Sequence, residues 1–197
     1  MAVVRFDTAV DRLQKIADAC SDVSRYRDEL AAAYVYGDLL RGADVEVVHV
    51  ALAVEVPAED LPWRAEPADL RALAEVLRLD RAPVRWVWRP AGEQVGNHAI
   101  IEPVRFWTRD GGVDEEVLRN LLDRRLEELP RESTPAEDAE RQLARDRGRA
   151  LRHLRQVTDG YWEPGWRRTH KGRGLYPEDH LWRAVQGYLD LLDASQG

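Results

Sequence analysis

The side chains best placed to do chemistry sit in one stretch, YVYGDLLRGADVEVVHVALAVE, residues 34–55. Gly37 ends an apolar run and Asp38 follows it; Arg41-Gly42 comes next, then an alternating strand that carries His49 and Glu55. A glycine turn before a strand exposes backbone N–H groups to an anion, and an arginine nearby adds charge. In the strand, Val48, Val50, Leu52, Val54 and Val56 share one face, while His49, Ala51, Ala53 and Glu55 share the other. The first set is core. On the second, His49 can serve as a general base or ligand contact, although such a histidine is more commonly hydrogen-bonded beneath a covering loop. Asp44 and Glu46 are also two apart, but they share parity with Val48 and Val50, so they are expected to be loop residues.

These residues resemble the nucleotidyltransferase superfamily that includes DNA polymerase beta and the small antibiotic and toxin–antitoxin nucleotidyltransferases. Members carry a strand ending in Gly-Ser, often an Arg-Gly, and then Asp-x-Asp at the head of a strand. Laid on this sequence, Gly37 takes the glycine position, Asp38 the serine, Arg41-Gly42 the Arg-Gly, and His49 and Ala51 the two aspartates. The resemblance implies an α+β fold with a nucleotidyltransferase-like mixed sheet. It also implies what has been lost. The family's paired aspartates hold Mg²⁺, a hard ion that takes oxygen ligands, whereas His49 offers nitrogen and Ala51 offers nothing. The third carboxylate usually comes from a later strand, but VRWVWR supplies Arg85 and Arg89, leaving Glu102 as the nearest acid. The expected protein is therefore a pseudoenzyme, a binding or regulatory module without cofactor. Gly37, Asp38, Arg41, His49 and Arg85 are its candidate ligand residues, and the ligand is a small anion or a protein partner. The alternative is an active Mg²⁺-dependent transferase with relocated acids drawn from Asp38, Glu55 and Glu102, with His49 beside them.

Elsewhere the chemistry is thinner. His98 and Glu102 are four apart in an apolar run, too few groups for a metal site. No serine elbow, phosphate-binding loop or zinc spacing occurs. Arg141, Arg145, Arg149 and Arg152 form an arginine stripe at helical intervals, extended by Arg167, Arg168, Lys171 and Arg173 among Tyr161, Trp162 and Trp166. Arginine and aromatic interleaving is a pattern that holds single-stranded nucleic acid. The protein as a whole is acidic, with net charge −7, so the stripe is expected instead to pack on the acidic part of the chain or face solvent.

The elements that must position these residues follow from periodicity. Apolar spacing of three and four predicts helices over 7–24, 67–79, 114–126 and 134–157, and a last one after Pro177. Thr134, Pro135 and Glu137 have the capping-box pattern. Strands are expected at LAAAYVY, VVHVALAVEV, VRWVWR and HAIIEPVRFW, the last two joined by PAGEQVGN as a hairpin loop, with Arg85 and Arg89 facing Glu55. Residues 159–176 read as a loop. The composition changes at RDGG, which places an α+β domain at 1–108 and a mainly helical region at 109–197, packed on it.

Residues 1–108 hold 13 basic and 18 acidic groups, while 141–173 hold ten basic against three acidic, the one cationic segment. The single cysteine, Cys20, excludes an intramolecular disulfide and lies at helical spacing among Leu13, Ile16 and Ala17, as a buried thiol would. Seven tryptophans, Trp86 and Trp88 sharing one strand face, suggest core walls. No apolar run approaches a membrane span, and a cytoplasmic location is expected. Arginine outnumbers lysine 27 to 2, consistent with GC-rich bacterial coding.

Overall fold

The computed structural model describes residues 3–81, 83–172 and 175–196; Arg173, at the end of the cationic segment, lies outside them. Five strands form one mixed sheet in the order β3-β2-β1-β4-β5. They are β1 Leu30–Tyr36, β2 Val48–Val54, β3 Val84–Pro90, β4 Val104–Thr108 and β5 Gly112–Val113. β1 is central and antiparallel to both β2 and β4. β3 runs parallel to β2, so the two need a crossover, and helix α2 (Ala68–Val76) provides it.

The sheet is covered on both faces. Helix α1 (Phe6–Val23) lays Phe6, Val10, Leu13, Ile16 and Cys20 on one face, joined by α2, by α3 (Glu115–Leu122) and by Val48, Val50, Leu52 and Val54 of β2. α3 is capped by Asp114, whose carboxylate accepts from the Val117 N–H at 3.1 Å. The other face carries Tyr34, Tyr36, Ala51 and Ala53 and is closed by α4 (Ala136–Gly160) and α6 (Pro177–Ala194) through Ala150 and Leu191. Thus the alternation of β2 sorts its side chains between two cores. Although β5 and α3 follow residue 108, they join the sheet and its first covering layer.

α6 is seated unusually close. A Cβ on Gly187 would lie 2.3 Å from the Trp63 carbonyl oxygen, so only glycine lets the helix reach that loop. Trp63 Nε1 donates to the Asp190 carboxylate at 3.2 Å, and Arg64 pairs with the same group at 2.5 Å.

Several expectations are corrected. β3 and β4 are not a hairpin: they lie on opposite sides of the β2–β1 pair, and PAGEQVGN crosses between them. Residues 98–100 are bends rather than strand, so His98 and Glu102 do not lie on one strand. Thr134 does not cap α4, whose first turn has no side-chain cap; its hydroxyl instead accepts from Gln94 Nε2 at 2.8 Å. The expected loop 159–176 contains a short helix, α5 (Pro164–Thr169). Arg89 does not face Glu55, which pairs with Arg109 at 2.9 Å.

Candidate functional site

At the end of β1 the chain passes through Gly37, at φ 83°, into a short 3-10 turn, Asp38–Arg41. A positive φ is what glycine tolerates and other residues resist. The strand register then sets the corner: Tyr36 stands opposite His49, and His49 opposite Arg85. Gly37, Asp38, Arg41, His49 and Arg85 are thereby gathered at one end of the sheet. Asp38 and Arg41 pair at 3.3 Å, both well exposed. The His49 ring lies 5.4 Å from the Tyr36 ring, centroid to centroid, and would meet a Cβ on Gly37 at 3.4 Å. Burial pulls the His49 pKa below the ordinary range, Arg85 adds to that, and Asp38 opposes it. Burial pushes Tyr36 up to about 12, against Arg85 and Arg64.

The acids do not converge. Glu102, at φ 46°, is exposed and 3.9 Å from Arg131, which also donates to the Leu40 carbonyl at 2.7 Å, so it stands at the outer edge of the corner. Glu55 lies at the far end of β2, six residues from His49, which is about 20 Å along a strand. Its backbone N–H donates to Glu29 at 2.7 Å there. Asp38, Glu55 and Glu102 therefore do not share a site. Asp44 is a loop residue whose carboxylate accepts from the Phe6 N–H at 2.8 Å, at the start of α1.

The face that carries His49 and Ala51 is largely filled. Ala51 is 0% exposed, beneath the apolar cluster that α4 and α6 complete. Beside it Arg89 Nη1 donates to Asp146 Oδ2 at 3.1 Å, with both side chains buried, and Arg89 Nη2 reaches the Gln94 carbonyl at 3.3 Å. The arginine stripe serves the same junction. Arg149 pairs with Glu93 at 2.5 Å and Glu59 at 3.1 Å, and Arg152 also pairs with Glu59. Arg141 pairs with Asp138 within α4, Arg145 donates to Gln142, and Arg167 pairs with Glu178 at 2.8 Å. Arg168 is exposed in the last turn of α5, and Lys171 lies 5.8 Å from the Tyr176 ring.

A cavity of about 410 Å³ opens where the segment 60–71 meets α4, α5 and α6. Its floor is Glu66, whose side chain is 2% exposed and held by Arg71 at 3.1 Å and Arg183 at 2.6 Å. Three histidines line it: His153 from α4, His170 after α5 and His180 from α6. The His170 ring stacks on Trp166 at 3.9 Å, and its Nδ1 is 2.9 Å from the Trp166 carbonyl; His180 meets it edge-on at 5.1 Å. Burial lowers the pKa of His153 and His180, and each is lowered further by neighbouring histidines. Among the described residues no group of three or more His, Cys, Asp or Glu is placed to hold a metal ion. Sequence reasoning missed this cavity. The available signal was the run RRTHKG, which the sequence presents as the end of the cationic stripe, expected to pack on the acidic part of the chain or face solvent.

The architecture is that of an α+β protein whose mixed sheet is covered by helices on both faces, with one half-open corner and one junction cavity. Residues 4–197 match the family described as a domain of unknown function, DUF7711, and the chain belongs to that family. No curated protein matches it. Among solved structures, a Sulfolobus solfataricus protein described provisionally as a nucleotidyltransferase is similar over 54% of this chain and 89% of its own length, at 18% identity and a TM-score of 0.38. No helix among the described residues is long and apolar enough to cross a membrane.

Proposed function

We propose that this chain is a non-catalytic binding or regulatory module of the cytoplasm, built on a nucleotidyltransferase-like sheet. The observation that carries this is the burial of Ala51. In the resembled family that strand face holds the metal-binding carboxylates, whereas here it packs under α4 and α6 with Ala51 0% exposed. At the two positions concerned, His49 and Ala51 supply no oxygen ligand for a hard divalent ion. What stays open is the corner of Gly37, Asp38, Arg41, His49 and Arg85, which offers two guanidinium groups and an imidazole to a small anion or an acidic segment of a protein partner. The pairing of Arg149 and Arg152 with Glu59 and Glu93 supports an architectural use of the stripe over nucleic-acid binding.

The test is thermal unfolding with Mg²⁺ and each of ATP, GTP, CTP and UTP, since a ligand of the folded state raises the melting temperature by mass action. The expected result is no Mg²⁺-dependent rise. A metal-dependent rise abolished by Asp38→Ala would overturn this reading in favour of the Mg²⁺-dependent transferase.

A further inference from the structure

We propose that the cavity between the Glu66 segment and helices α4 to α6 is a second binding site, separate from the sheet corner, for a small organic oxyanion: a phosphate- or carboxylate-bearing molecule with a short apolar body. Its volume, about 410 Å³, lies within the range of small-molecule sites. Its walls combine the two surfaces such a molecule needs. Ala65, Pro67 and Val157 provide apolar contact, while Lys171, Arg183 and the three histidines provide donors.

The sign of the ligand follows from how the carboxylates are spent. Glu66 is the deep acid: Arg71 hydrogen-bonds its Oε1 at 3.1 Å, and Arg183 ion-pairs with its Oε2 at 2.6 Å, an oxygen that is buried and receives no aligned hydrogen bond. Asp60, the other lining acid, is exposed at the rim. A cation entering the cavity would meet guanidinium and imidazole edges. An anion would meet Arg183, which retains N–H groups beyond the one on Glu66, and the Lys171 ammonium. With neutral histidines the lining carries three positive groups, Arg71, Lys171 and Arg183, against two negative, in a protein whose net charge is −7. Each histidine that takes a proton adds one more positive charge.

Occupancy is thereby coupled to protons. The groups facing the histidines are Asp60, Glu66 and Arg71 from the sheet side, Lys171 after α5, and Asp179 and Arg183 from α6. An anion among them favours imidazolium, so binding takes up protons and tightens as pH falls below the ordinary histidine value. The His170 ring is held against Trp166, stacked at 3.9 Å with its Nδ1 2.9 Å from the Trp166 carbonyl.

The experiment measures binding of phenyl phosphate, benzoate, inorganic phosphate and benzylammonium to the full chain by calorimetry, at about pH 6 and about pH 8. Phenyl phosphate or benzoate should bind more tightly than inorganic phosphate, and more tightly at the lower pH, and benzylammonium should not bind. Arg183→Gln would free the buried Glu66 carboxylate and is prone to unfold. The deciding variants are therefore His180→Gln and Lys171→Ala, each expected to keep the wild-type melting temperature and weaken the oxyanion by about tenfold. Absence of oxyanion binding at both pH values, or equal binding of benzylammonium, overturns the proposal. So does binding that survives both variants but is lost in Arg85→Ala, which would place the anion at the sheet corner instead.

Discussion

Arg89 on β3 and Asp146 on α4 form an ion pair of 3.1 Å with side chains only 2% and 4% exposed, and it pins the C-terminal helices to the sheet. Gln142 Nε2 donates to Asp146 Oδ1 at 2.9 Å, so both carboxylate oxygens are used. Removing one partner strands the other charge without water. Asp146→Ala is expected to cost about 3–5 kcal/mol in urea-induced unfolding, while Arg89→Met with Asp146→Leu should cost far less, because no charge is left behind. Equal losses in the single and double variants would show that packing, not charge, dominates the junction.

Gly187 lets α6 sit on the Trp63 carbonyl, where an added Cβ would be 2.3 Å from oxygen. In an exposed helix Gly→Ala stabilises by about 1 kcal/mol. Here the contact is with backbone, which cannot rotate away as a side chain would. Gly187→Ala should therefore be net destabilising by about 1–3 kcal/mol, read as a fall in melting temperature. A rise would mean that α6 does not dock on that loop.

What the sequence made legible was local. The period of β2 sorted Val48, Val50 and Leu52 from His49, Ala51 and Ala53, because alternation is a property of the strand itself. The two faces proved to be two cores. The corner of Gly37, Asp38, Arg41, His49 and Arg85 was also accessible, since one turn and strand neighbours gather it. Pairing was not legible in the same way. PAGEQVGN has hairpin residues, yet β3 turns parallel to β2 because α2 carries the chain across, a long-range outcome that turn chemistry does not encode. Thr134 had a capping pattern, but Gln94, 40 residues away, takes its hydroxyl. The three-histidine cavity draws on 60–71, 153, 170 and 180, whose proximity only the folded chain creates.

Rebuilding the resembled family's aspartates should not rebuild its chemistry. Ala51 is wholly buried in the apolar cluster with Ala53, Trp63 and Ala150, and the nearby Arg89 is already paired with Asp146. Ala51→Asp is expected to destabilise by about 3 kcal/mol or more, whereas His49→Asp, at the half-open corner, should cost less. Unfolding of the His49→Asp, Ala51→Asp double variant, followed with and without Mg²⁺, checks this. If Mg²⁺ restores stability, the face is accessible to metal and the covered-cleft reading fails.

Acid should weaken the fold before its carboxylates titrate. His49, His98, His153 and His180 all have pKa values below the ordinary 6.5, with burial the leading cause at each. At His98 both ring nitrogens are out of solvent without a hydrogen bond, and the ring meets Trp63 edge-on at 5.0 Å. Burial dominates there; Asp146 and Asp190 oppose it, and Arg89 and Arg64 reinforce it. Above pH 6.5 both the folded and unfolded chains keep these rings neutral. As pH falls below that value, the unfolded chain binds protons that the folded chain refuses, so stability declines until the depressed folded values are reached. A second decline should follow in the carboxylate range, where Arg152 and Arg149 hold Glu59, and Arg149 holds Glu93, below their ordinary 4.5. His98→Phe keeps an aromatic ring against Trp63 and removes one titrating group. It should flatten the first decline without moving the second, as measured by melting temperature across the acid range, and an unchanged first slope would clear His98 of any part in it.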